Sequence, residues 1–218
     1  DRPRIVSLLE VKKYRINTYD DGESDMGIYE GIGSYVYGET PYLTTFFILK
    51  DLQKILENIR FNRLLFIDLG CGVGKPVFLV SILFNAFSVG VDNINTFINK
   101  ANLIKKFLKL FLNPNKISFI KEDITNFLDN FEGYLKNINC NDFDYVVIYL
   151  PATAFSKTLL NLIKIKLYKI SEFYKAKNKR VFILVLSKKI NISDLSLVFV
   201  NHYYFSWFKG IVYFYEYI

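Results

Sequence analysis

Three glycines at alternate positions follow an acidic residue in the stretch LLFIDLGCGVGKPVFLVSIL, residues 64–83. The apolar run before them predicts a buried strand, and the apolar run after them predicts a helix. Gly70, Gly72 and Gly74 allow a tight turn and leave no Cβ between the backbone and a ligand. The start of the following helix would point free N–H groups at the same place. The segment therefore predicts either a cofactor-binding turn or a flexible break between strand and helix.

The acidic residue, Asp68, distinguishes between two classes of cofactor. Dinucleotide-binding turns follow the pattern G-x-G-x-x-G and hold a pyrophosphate. This chain instead has G-x-G-x-G, with Asp68 two residues before the first glycine. A carboxylate at that position would repel a pyrophosphate but attract an ammonium group. S-adenosylmethionine carries an ammonium group and a sulfonium, so Asp68 favours this cofactor.

Two more acidic residues follow the next two predicted strands. SVGVDN places Asp92 where a carboxylate can bind both ribose hydroxyls. FIKEDI offers Asp123 to the adenine amino group and Ile124 to the face of its ring. Each acidic residue could alternatively cap the helix that follows it. Taken together with Asp68, the acidic residues at three consecutive strand ends predict an S-adenosylmethionine site.

Alternating apolar patterns predict the elements that would position these residues. Helical spacing runs from residue 42 to about 59. Predicted strands near 64–69, 87–92, 117–121 and 143–150 are each followed by a helix, near 75–85, 95–111, 125–137 and 155–176. A further strand near 180–187 precedes two aromatic strands, at about 196–206 and 210–217, which a short link would join as a hairpin. The predicted fold is α/β: a Rossmann-like, seven-strand, mostly parallel sheet with helices on both faces and a C-terminal antiparallel hairpin.

Composition limits the size of the protein and its partners. A chain of 218 residues, of which 51% are hydrophobic, fits one α/β domain with a substantial core. No run of about 18 uncharged apolar residues indicates a membrane span, and two cysteines make no disulfide framework, which fits an intracellular, reducing compartment. The net charge of +7 is compatible with nucleic acid or another acidic partner, or with codon bias alone. The basic stretch at residues 164–180 is either a contact surface for such a partner or a solvated helix face.

A second motif precedes the first predicted helix. The sequence YVYGET occupies residues 35–40, and FIDLGCGVGK follows about 25 residues later. Together they resemble the class I (seven-strand) S-adenosylmethionine-dependent methyltransferases. Within that class the pairing resembles the disruptor-of-telomeric-silencing family, the histone-lysine methyltransferases that lack a SET domain. The glycine motif is shared by many methyltransferases, whereas YGET is more specific to this family.

The resemblance implies a role in cofactor binding for particular residues. The YGET loop would cover the methionine end of the cofactor, the glycine turn would form the floor beneath it, and the two later acidic residues would hold the ribose and the adenine. The implied cofactor-binding residues are Tyr37, Gly38, Glu39, Thr40, Asp68, Gly70, Gly72, Lys75, Asp92, Asp123 and Ile124. Lys75 stands where the family often has glutamine. Residues 1–41 would form an N-terminal cap with the covering loop, and residues 42–218 the methyltransferase domain.

The same resemblance implies an acceptor channel. VVIYLPATAF looks like the family segment that lines the methyl-transfer channel, and SWFKGIVYFYEY resembles the closing strands whose aromatics wall it. The implied catalytic residues are Thr153, Phe155, Phe214 and Tyr215, with Trp207 beside them. Aromatic residues of a hairpin are equally explained by core packing. The family usually has asparagine where this chain has Pro151 or Ala152.

These patterns predict a methyltransferase acting on a protein lysine, with a histone or nucleosome as the substrate that the resemblance implies. A narrow apolar channel would favour the neutral amine, so no general base is required. Two alternatives stay open: a nucleic-acid methyltransferase, suggested by the charge, and a non-catalytic S-adenosylmethionine-binding domain, suggested by Pro151 and Ala152. Leu150-Pro151-Ala152-Thr153 lacks the acidic or asparagine residue, paired prolines and aromatic typical of base-amine methylation. The compartment would be nuclear in a eukaryote and cytoplasmic in a prokaryote.

Overall fold

The computed structural model describes residues 40–56, 60–111, 113–138, 143–205 and 209–218. Seven β-strands lie in these ranges: β1 Leu64–Leu69, β2 Phe87–Asp92, β3 Ile117–Lys121, β4 Tyr145–Leu150, β5 Arg180–Leu186, β6 Leu195–Tyr204 and β7 Lys209–Tyr217. The α-helices are α1 Tyr42–Ile55, α2 Lys75–Phe84, α3 Asn95–Phe107, α4 Ile124–Asp129, α5 Phe131–Asn137 and α6 Lys157–Lys175. The predicted covering-loop residues Tyr37, Gly38 and Glu39, and Trp207, lie outside the described residues.

The strands form one seven-stranded sheet in the order β3-β2-β1-β4-β5-β7-β6. The first five strands of that order are parallel, whereas β7 runs antiparallel to β5 and β6 antiparallel to β7. The predicted α/β class, the mostly parallel sheet and the closing hairpin are therefore confirmed. The strand order reverses between β1 and β4, and ligands of doubly wound folds bind outside the carboxyl ends of the strands at such a point.

Helices cover both faces of the sheet, and each face has its own apolar core. Strand β1 is buried at all six positions, as expected for a parallel strand covered on both sides. On one face, Leu49 and Leu52 of α1 and Val80 of α2 pack with Phe66 of β1. On the other face, side chains of α4, α5 and α6 pack against the alternate residues of the same strands. Because Asp68 shares the parity of Phe66, its side chain lies on the face that α1 and α2 cover.

Several helix boundaries differ from the sequence prediction: α1 ends at Ile55 instead of about residue 59, and α3 ends at Phe107 instead of about residue 111. The single helix predicted at 125–137 is broken at Asn130, which ends α4 and begins α5. The helix predicted at 155–176 begins at Lys157, because the Ser156 hydroxyl accepts a hydrogen bond from the Leu159 N–H at 3.1 Å and caps it. A short 3-10 turn, Ala152–Ala154, lies between β4 and this cap.

A buried carboxylate attaches α1 to the edge strand β6. Asp51 of α1 accepts hydrogen bonds from Lys54 Nζ at 2.8 Å, Asn201 Nδ2 at 2.9 Å and the Tyr203 hydroxyl at 2.8 Å. Burial raises the pKa of Asp51, but the three hydrogen bonds outweigh it and leave the pKa below its ordinary value. This network holds the middle of α1 against β6.

Within the ranges given above, no helix is both long and apolar enough to cross a membrane. No group of three or more His, Cys, Asp or Glu side chains among the same residues is arranged to hold a metal ion.

Candidate functional site

The glycine turn after β1 is tied to the end of β2. Gly70, Gly72 and Gly74 have φ angles of +92°, +53° and +81°, a region that glycine occupies without strain. The N–H groups of Gly70 and Cys71 donate to the Val91 carbonyl at 2.8 and 3.0 Å. The backbone conformation therefore favours glycine at all three positions, and hydrogen bonds to β2 give the turn a defined structure. This geometry favours a cofactor-binding turn over a flexible break between strand and helix.

Aromatic and sulfur atoms fill the space directly beneath the turn. A Cβ placed on Gly74 would lie 2.6 Å from Cζ of Phe119, and a Cβ on Gly90 would lie 2.7 Å from Sγ of Cys71. Such distances are well inside van der Waals contact, so neither position has room for a side chain. Gly90 of β2 and Phe119 of β3 thus support the turn, although the sequence patterns singled out neither of them as site residues.

Asp68 is a buried carboxylate with an unsatisfied oxygen. Its residue is 1% exposed, and Oδ1 has no hydrogen-bond partner in the described part of the chain. Burial raises the pKa of Asp68 well above its ordinary value, and the nearby charge of Asp92 raises it further. A buried carboxylate oxygen without a partner is costly, and a cationic ligand at this edge of the sheet would satisfy it.

Asp92 links the glycine turn to the loop that follows β2. Its Oδ2 accepts a hydrogen bond from the Gly72 N–H, and its Oδ1 accepts one from the Ile94 N–H, both at 2.9 Å. Burial raises the pKa of Asp92, while these two backbone hydrogen bonds act in the opposite direction. A carboxylate oxygen can accept a second hydrogen bond. Asp92 can therefore hold the turn and still accept from ribose hydroxyls.

Asp123 caps the helix that follows it, which is the alternative role that the sequence left open. Its Oδ1 accepts from the N–H groups of Thr125 and Asn126, at 2.7 and 3.4 Å, and so caps α4. Neighbouring Glu122 uses both oxygens internally, Oε1 accepting from the Asp123 N–H at 2.9 Å and Oε2 from the Tyr134 hydroxyl at 2.7 Å. The side-chain hydrogen bonds of exposed Asp123 among the described residues all involve Oδ1. Asp123 is thus the carboxylate at the end of β3 that can also meet a ligand, and half-buried Ile124 follows it.

The start of α1 lies against the start of α2. Buried Thr40, which precedes α1, places its Oγ1 3.0 Å from the hydroxyl oxygen of Tyr149 in β4. Lys75, the first residue of α2, has its Nζ 5.5 Å from the ring centroid of Tyr42, the first residue of α1. The structure therefore brings Thr40 and Lys75, both predicted from the resemblance, to the helix starts beside the glycine turn. Tyr149 was not predicted, because nothing in the sequence marks it as different from a core aromatic.

The segment after β4 covers the glycine turn from the other side. A Cβ on Gly70 would be in ordinary contact with the Phe155 ring at 3.5 Å and with Pro151 at 3.8 Å. Exposed Thr153, on the same segment, donates a hydrogen bond to the Ser187 hydroxyl at 3.2 Å. Two of the predicted acceptor-side residues, Thr153 and Phe155, are thus on the segment that adjoins the turn.

The other two predicted acceptor-side residues lie elsewhere. Phe214 is 1% exposed and Tyr215 is 2% exposed, and they belong to the cores on opposite faces of the sheet. They pair with Leu184 and Ile183 in the interior of β5, below its carboxyl end. The Tyr215 hydroxyl accepts a hydrogen bond from the Ile190 N–H at 3.0 Å. This placement favours core packing, the alternative that the sequence left open for the hairpin aromatics.

Comparison with sequence families settles which group these features belong to. The chain matches the family profile described as "Histone methylation protein DOT1" over residues 14–215. The chain belongs to the DOT1 family. The protein is accordingly an S-adenosylmethionine-dependent methyltransferase, and the suspected family is confirmed. Its membership makes the alternative of a non-catalytic binding domain wrong.

Solved structures agree with this DOT1-family fold. An RNA methyltransferase from Salinibacter ruber, in complex with S-adenosyl-L-homocysteine, is 15% identical, with a TM-score of 0.50 over 82% of this chain and 93% of that one. An S-adenosylmethionine-dependent methyltransferase from Agrobacterium tumefaciens is 12% identical, with a TM-score of 0.52 over 83% of this chain and 63% of that one. TrmN from Thermus thermophilus is 13% identical, with a TM-score of 0.53 over 81% and 52%. At these identities the likeness shows the fold alone. No curated protein sequence matches the chain significantly.

The residues of this DOT1-family site fit the cofactor. The unsatisfied Oδ1 of Asp68 matches a cationic group, and the glycines with positive φ let a ligand approach the backbone. The ends of β2 and β3 supply the carboxylates of Asp92 and Asp123 at the same edge of the sheet. We therefore expect the methionine end near Asp68, the ribose near Asp92 and the adenine near Asp123.

The two roles of Asp123 can be separated by substitution. Asp123→Ser keeps a side-chain oxygen that can cap α4 but removes the carboxylate, so we expect nearly unchanged thermal stability and a roughly 3- to 10-fold weaker affinity for S-adenosyl-L-homocysteine, the loss of about one hydrogen bond. Asp123→Ala removes both and is expected also to lower the free energy of unfolding by about 1 kcal/mol. Calorimetric titration and urea unfolding would measure the two effects. Equal affinity in the Ser variant and the parent would leave Asp123 as a helix cap only.

Proposed function

We propose that this DOT1-family chain is a protein-lysine N-methyltransferase whose acceptor is a histone. The observation that carries the proposal is the match to the histone-methylation family over residues 14–215, which includes both the YGET and the glycine motifs. In this proposal residues 1–41 are the cap and cofactor-covering loop, and residues 42–218 are the methyltransferase domain. The protein would then act in the compartment that holds its histone: the nucleus in a eukaryote, the cytoplasm in a prokaryote.

The proposed cofactor contacts extend from the methionine end to the adenine. Asp68 accepts from the ammonium group, and the backbone of the glycine turn and Lys75 lie beneath the methionine end. Asp92 accepts from the ribose hydroxyls, while Asp123 and Ile124 meet the adenine. Tyr37, Gly38, Glu39 and Thr40 cover the methionine end, as the family resemblance implies.

The proposed mechanism depends on positioning and on exclusion of water. When bound, S-adenosylmethionine supplies an activated methyl group on a sulfonium, so the protein has mainly to orient the acceptor amine. Pro151 and the buried ring of Phe155, which pack over Gly70, keep the neighbourhood of the turn apolar. A lysine amine entering such surroundings has its pKa lowered by desolvation and loses its proton to water before it reacts. In this proposal the Thr153 hydroxyl, exposed on the same segment, accepts a hydrogen bond from the neutral amine and orients it.

Nucleic-acid methylation is the second candidate, because the surface is basic. The stretch at residues 164–180 supports it less than its composition suggests, since Lys177 pairs with Glu132 at 2.8 Å and Arg180 with Glu216 at 2.8 Å. Residues 93–121 favour it more, because they hold six lysines and no acidic residue, although Lys105 and Lys116 donate hydrogen bonds to backbone carbonyls. The segment after β4 lacks the residues typical of base-amine methylation, which counts against nucleic acid as the methyl acceptor. We therefore propose that residues 93–121 instead contact the nucleic acid that accompanies a histone acceptor.

A labelled-methyl experiment separates these acceptors. The protein would be incubated with S-adenosylmethionine carrying a labelled methyl group and with isolated histones, nucleosomes, total RNA or DNA, and with Asp68→Asn as the control variant. We expect label in histones or nucleosomes that is lost on protease treatment, survives nuclease, and is located on lysine by mass spectrometry. Label that survives protease and is lost on nuclease treatment would reverse the order of the two proposals.

A further inference from the structure

Tyr149 is a buried tyrosine that the site described so far does not use. It is 3% exposed, lies one residue before the carboxyl end of β4, and pairs with Asp68 in the register of β1 and β4. Its hydroxyl oxygen lies 3.0 Å from Thr40 Oγ1, a buried hydrogen bond between residues far apart in the chain. The bond therefore joins Thr40, two residues before the start of α1, to the strand pair that carries the unsatisfied Oδ1 of Asp68.

The hydroxyl has no packing role of its own. The Tyr149 ring packs in the core beneath α1 with Phe66 at a centroid distance of 6.3 Å, and a phenylalanine ring would fill the same space. Burial raises the pKa of Tyr149, the Thr40 hydrogen bond opposes this, and the charge of Asp68 raises the pKa further, so the hydroxyl stays protonated and able to donate. Tyr149 and Asp68 are register partners on neighbouring parallel strands, so their side chains lie on the same face of the sheet.

We propose that Tyr149 is a positioning residue for the cofactor: its hydroxyl holds Thr40 against the β1–β4 strand pair, so that Thr40 and Asp68 present a fixed surface to the methionine end. The inference rests on the cofactor-binding half of the proposed function and is independent of the acceptor. Preorganisation of this kind raises affinity because the protein does not have to order the contact during binding. Tyr149 itself acts through Thr40.

Tyr149→Phe removes only the hydroxyl and tests the inference directly. We expect the dissociation constant for S-adenosyl-L-homocysteine to rise roughly tenfold, the effect of about one buried hydrogen bond. In turnover, the KM for S-adenosylmethionine should rise more than kcat falls. The matched control is Tyr203→Phe, which also removes a buried tyrosine hydroxyl, one that donates a hydrogen bond to Asp51 in the middle of α1 at 2.8 Å. The control should lose a similar amount of stability while its affinity for S-adenosyl-L-homocysteine stays at the parent value.

Thr40 provides a second approach to the same contact, should Tyr149→Phe fold poorly. Thr40→Val removes the partner hydroxyl, and Thr40→Ser keeps it and should recover most of the affinity. The Thr40→Val and Tyr149→Phe losses should be non-additive in the double variant, because both remove one hydrogen bond. Equal affinity loss in Tyr149→Phe and Tyr203→Phe, or additive losses in the double variant, would overturn the inference. Binding of S-adenosyl-L-homocysteine needs no acceptor, so these affinity measurements remain valid even if the protein does not methylate lysine.

Discussion

Asp68→Asn is expected to weaken S-adenosylmethionine binding roughly 30- to 1000-fold, the range of 2 to 4 kcal/mol for removing one partner of a buried charge pair. The same change is expected to leave the cofactor-free protein at least as stable as the parent. The two effects have one cause: Asp68 is buried, and its Oδ1 has no hydrogen-bond partner among the described residues. Keeping this group ionised in the free protein is costly, so the site favours the neutral acid there and the carboxylate only when a cation binds.

Asp92→Asn provides the comparison, because the Asp92 carboxylate is also buried but is already hydrogen-bonded to the backbone. Both oxygens of Asp92 accept backbone N–H groups at 2.9 Å, so an amide nitrogen at one of these positions would face a donor. We expect this variant to lose both stability and cofactor affinity. Thermal unfolding without ligand and calorimetric titration with S-adenosyl-L-homocysteine measure the two quantities. A clear loss of ligand-free stability in Asp68→Asn would contradict the assignment of Asp68 as an unsatisfied carboxylate.

The raised pKa of Asp68 also fixes the direction of a pH effect. Between the ordinary aspartate pKa and the raised pKa of Asp68, the native state holds a proton that the unfolded state has lost. The contribution of Asp68 to the free energy of unfolding therefore declines as the pH rises through this interval. Binding of an ammonium group favours the carboxylate, so affinity for S-adenosyl-L-homocysteine should increase over the same pH interval and release a proton. Titrations in buffers of different ionisation enthalpy would detect that proton, and Asp68→Asn should abolish it.

The strand-end residues could be predicted because a parallel sheet gives them a common position. Once the sequence shows alternating strands and helices, Asp68, Asp92 and Asp123 must meet at one edge, and they do so at the ends of β1, β2 and beyond β3. No such rule fixes how far along β5 a residue of the antiparallel hairpin lies. Period-two alternation predicts that Phe214 and Tyr215 face opposite sides of the sheet, but the register with β5 alone shows that they lie in its interior.

The residues that support the site could not be predicted, because their contacts link different strands without a local signature. In the sequence, Gly90 is only a residue of low strand propensity within an apolar strand, yet in the structure it makes room for the Cys71 side chain of the neighbouring turn. Phe119 and Tyr149 read as ordinary core aromatics. Only the packed arrangement of β1, β2, β3 and β4 shows that the first lies beneath Gly74 and that the hydroxyl of the second binds Thr40.

Gly74→Ala is expected to destabilise the protein by about 3 kcal/mol, the sum of a left-handed backbone penalty of about 1 kcal/mol and an overpacking cost of about 2 kcal/mol. Gly74 has a φ of +81°, and its added Cβ would lie 2.6 Å from Cζ of Phe119. For a domain of this size the melting temperature should fall by roughly 6 to 12 °C. Gly70→Ala is the control, since it has a φ of +92° but would meet Phe155 only at an ordinary 3.5 Å. It should therefore lose less stability than Gly74→Ala.

The two contributions to the Gly74→Ala loss can be separated at Phe119. Phe119→Leu shortens the side chain beneath Gly74 and creates a small cavity beside Phe78, whose ring centroid lies 5.1 Å away. Combined with Gly74→Ala, the shorter side chain should relieve the overpacking, so the double variant should be more stable than the sum of the single losses predicts. The backbone penalty should remain, because it depends on φ alone. Additive losses in a double-variant cycle measured by urea unfolding would mean that Phe119 does not close the space beneath the turn. A positive coupling of about 1 to 2 kcal/mol would instead identify the β3 aromatic as the support that holds the glycine turn in its binding conformation.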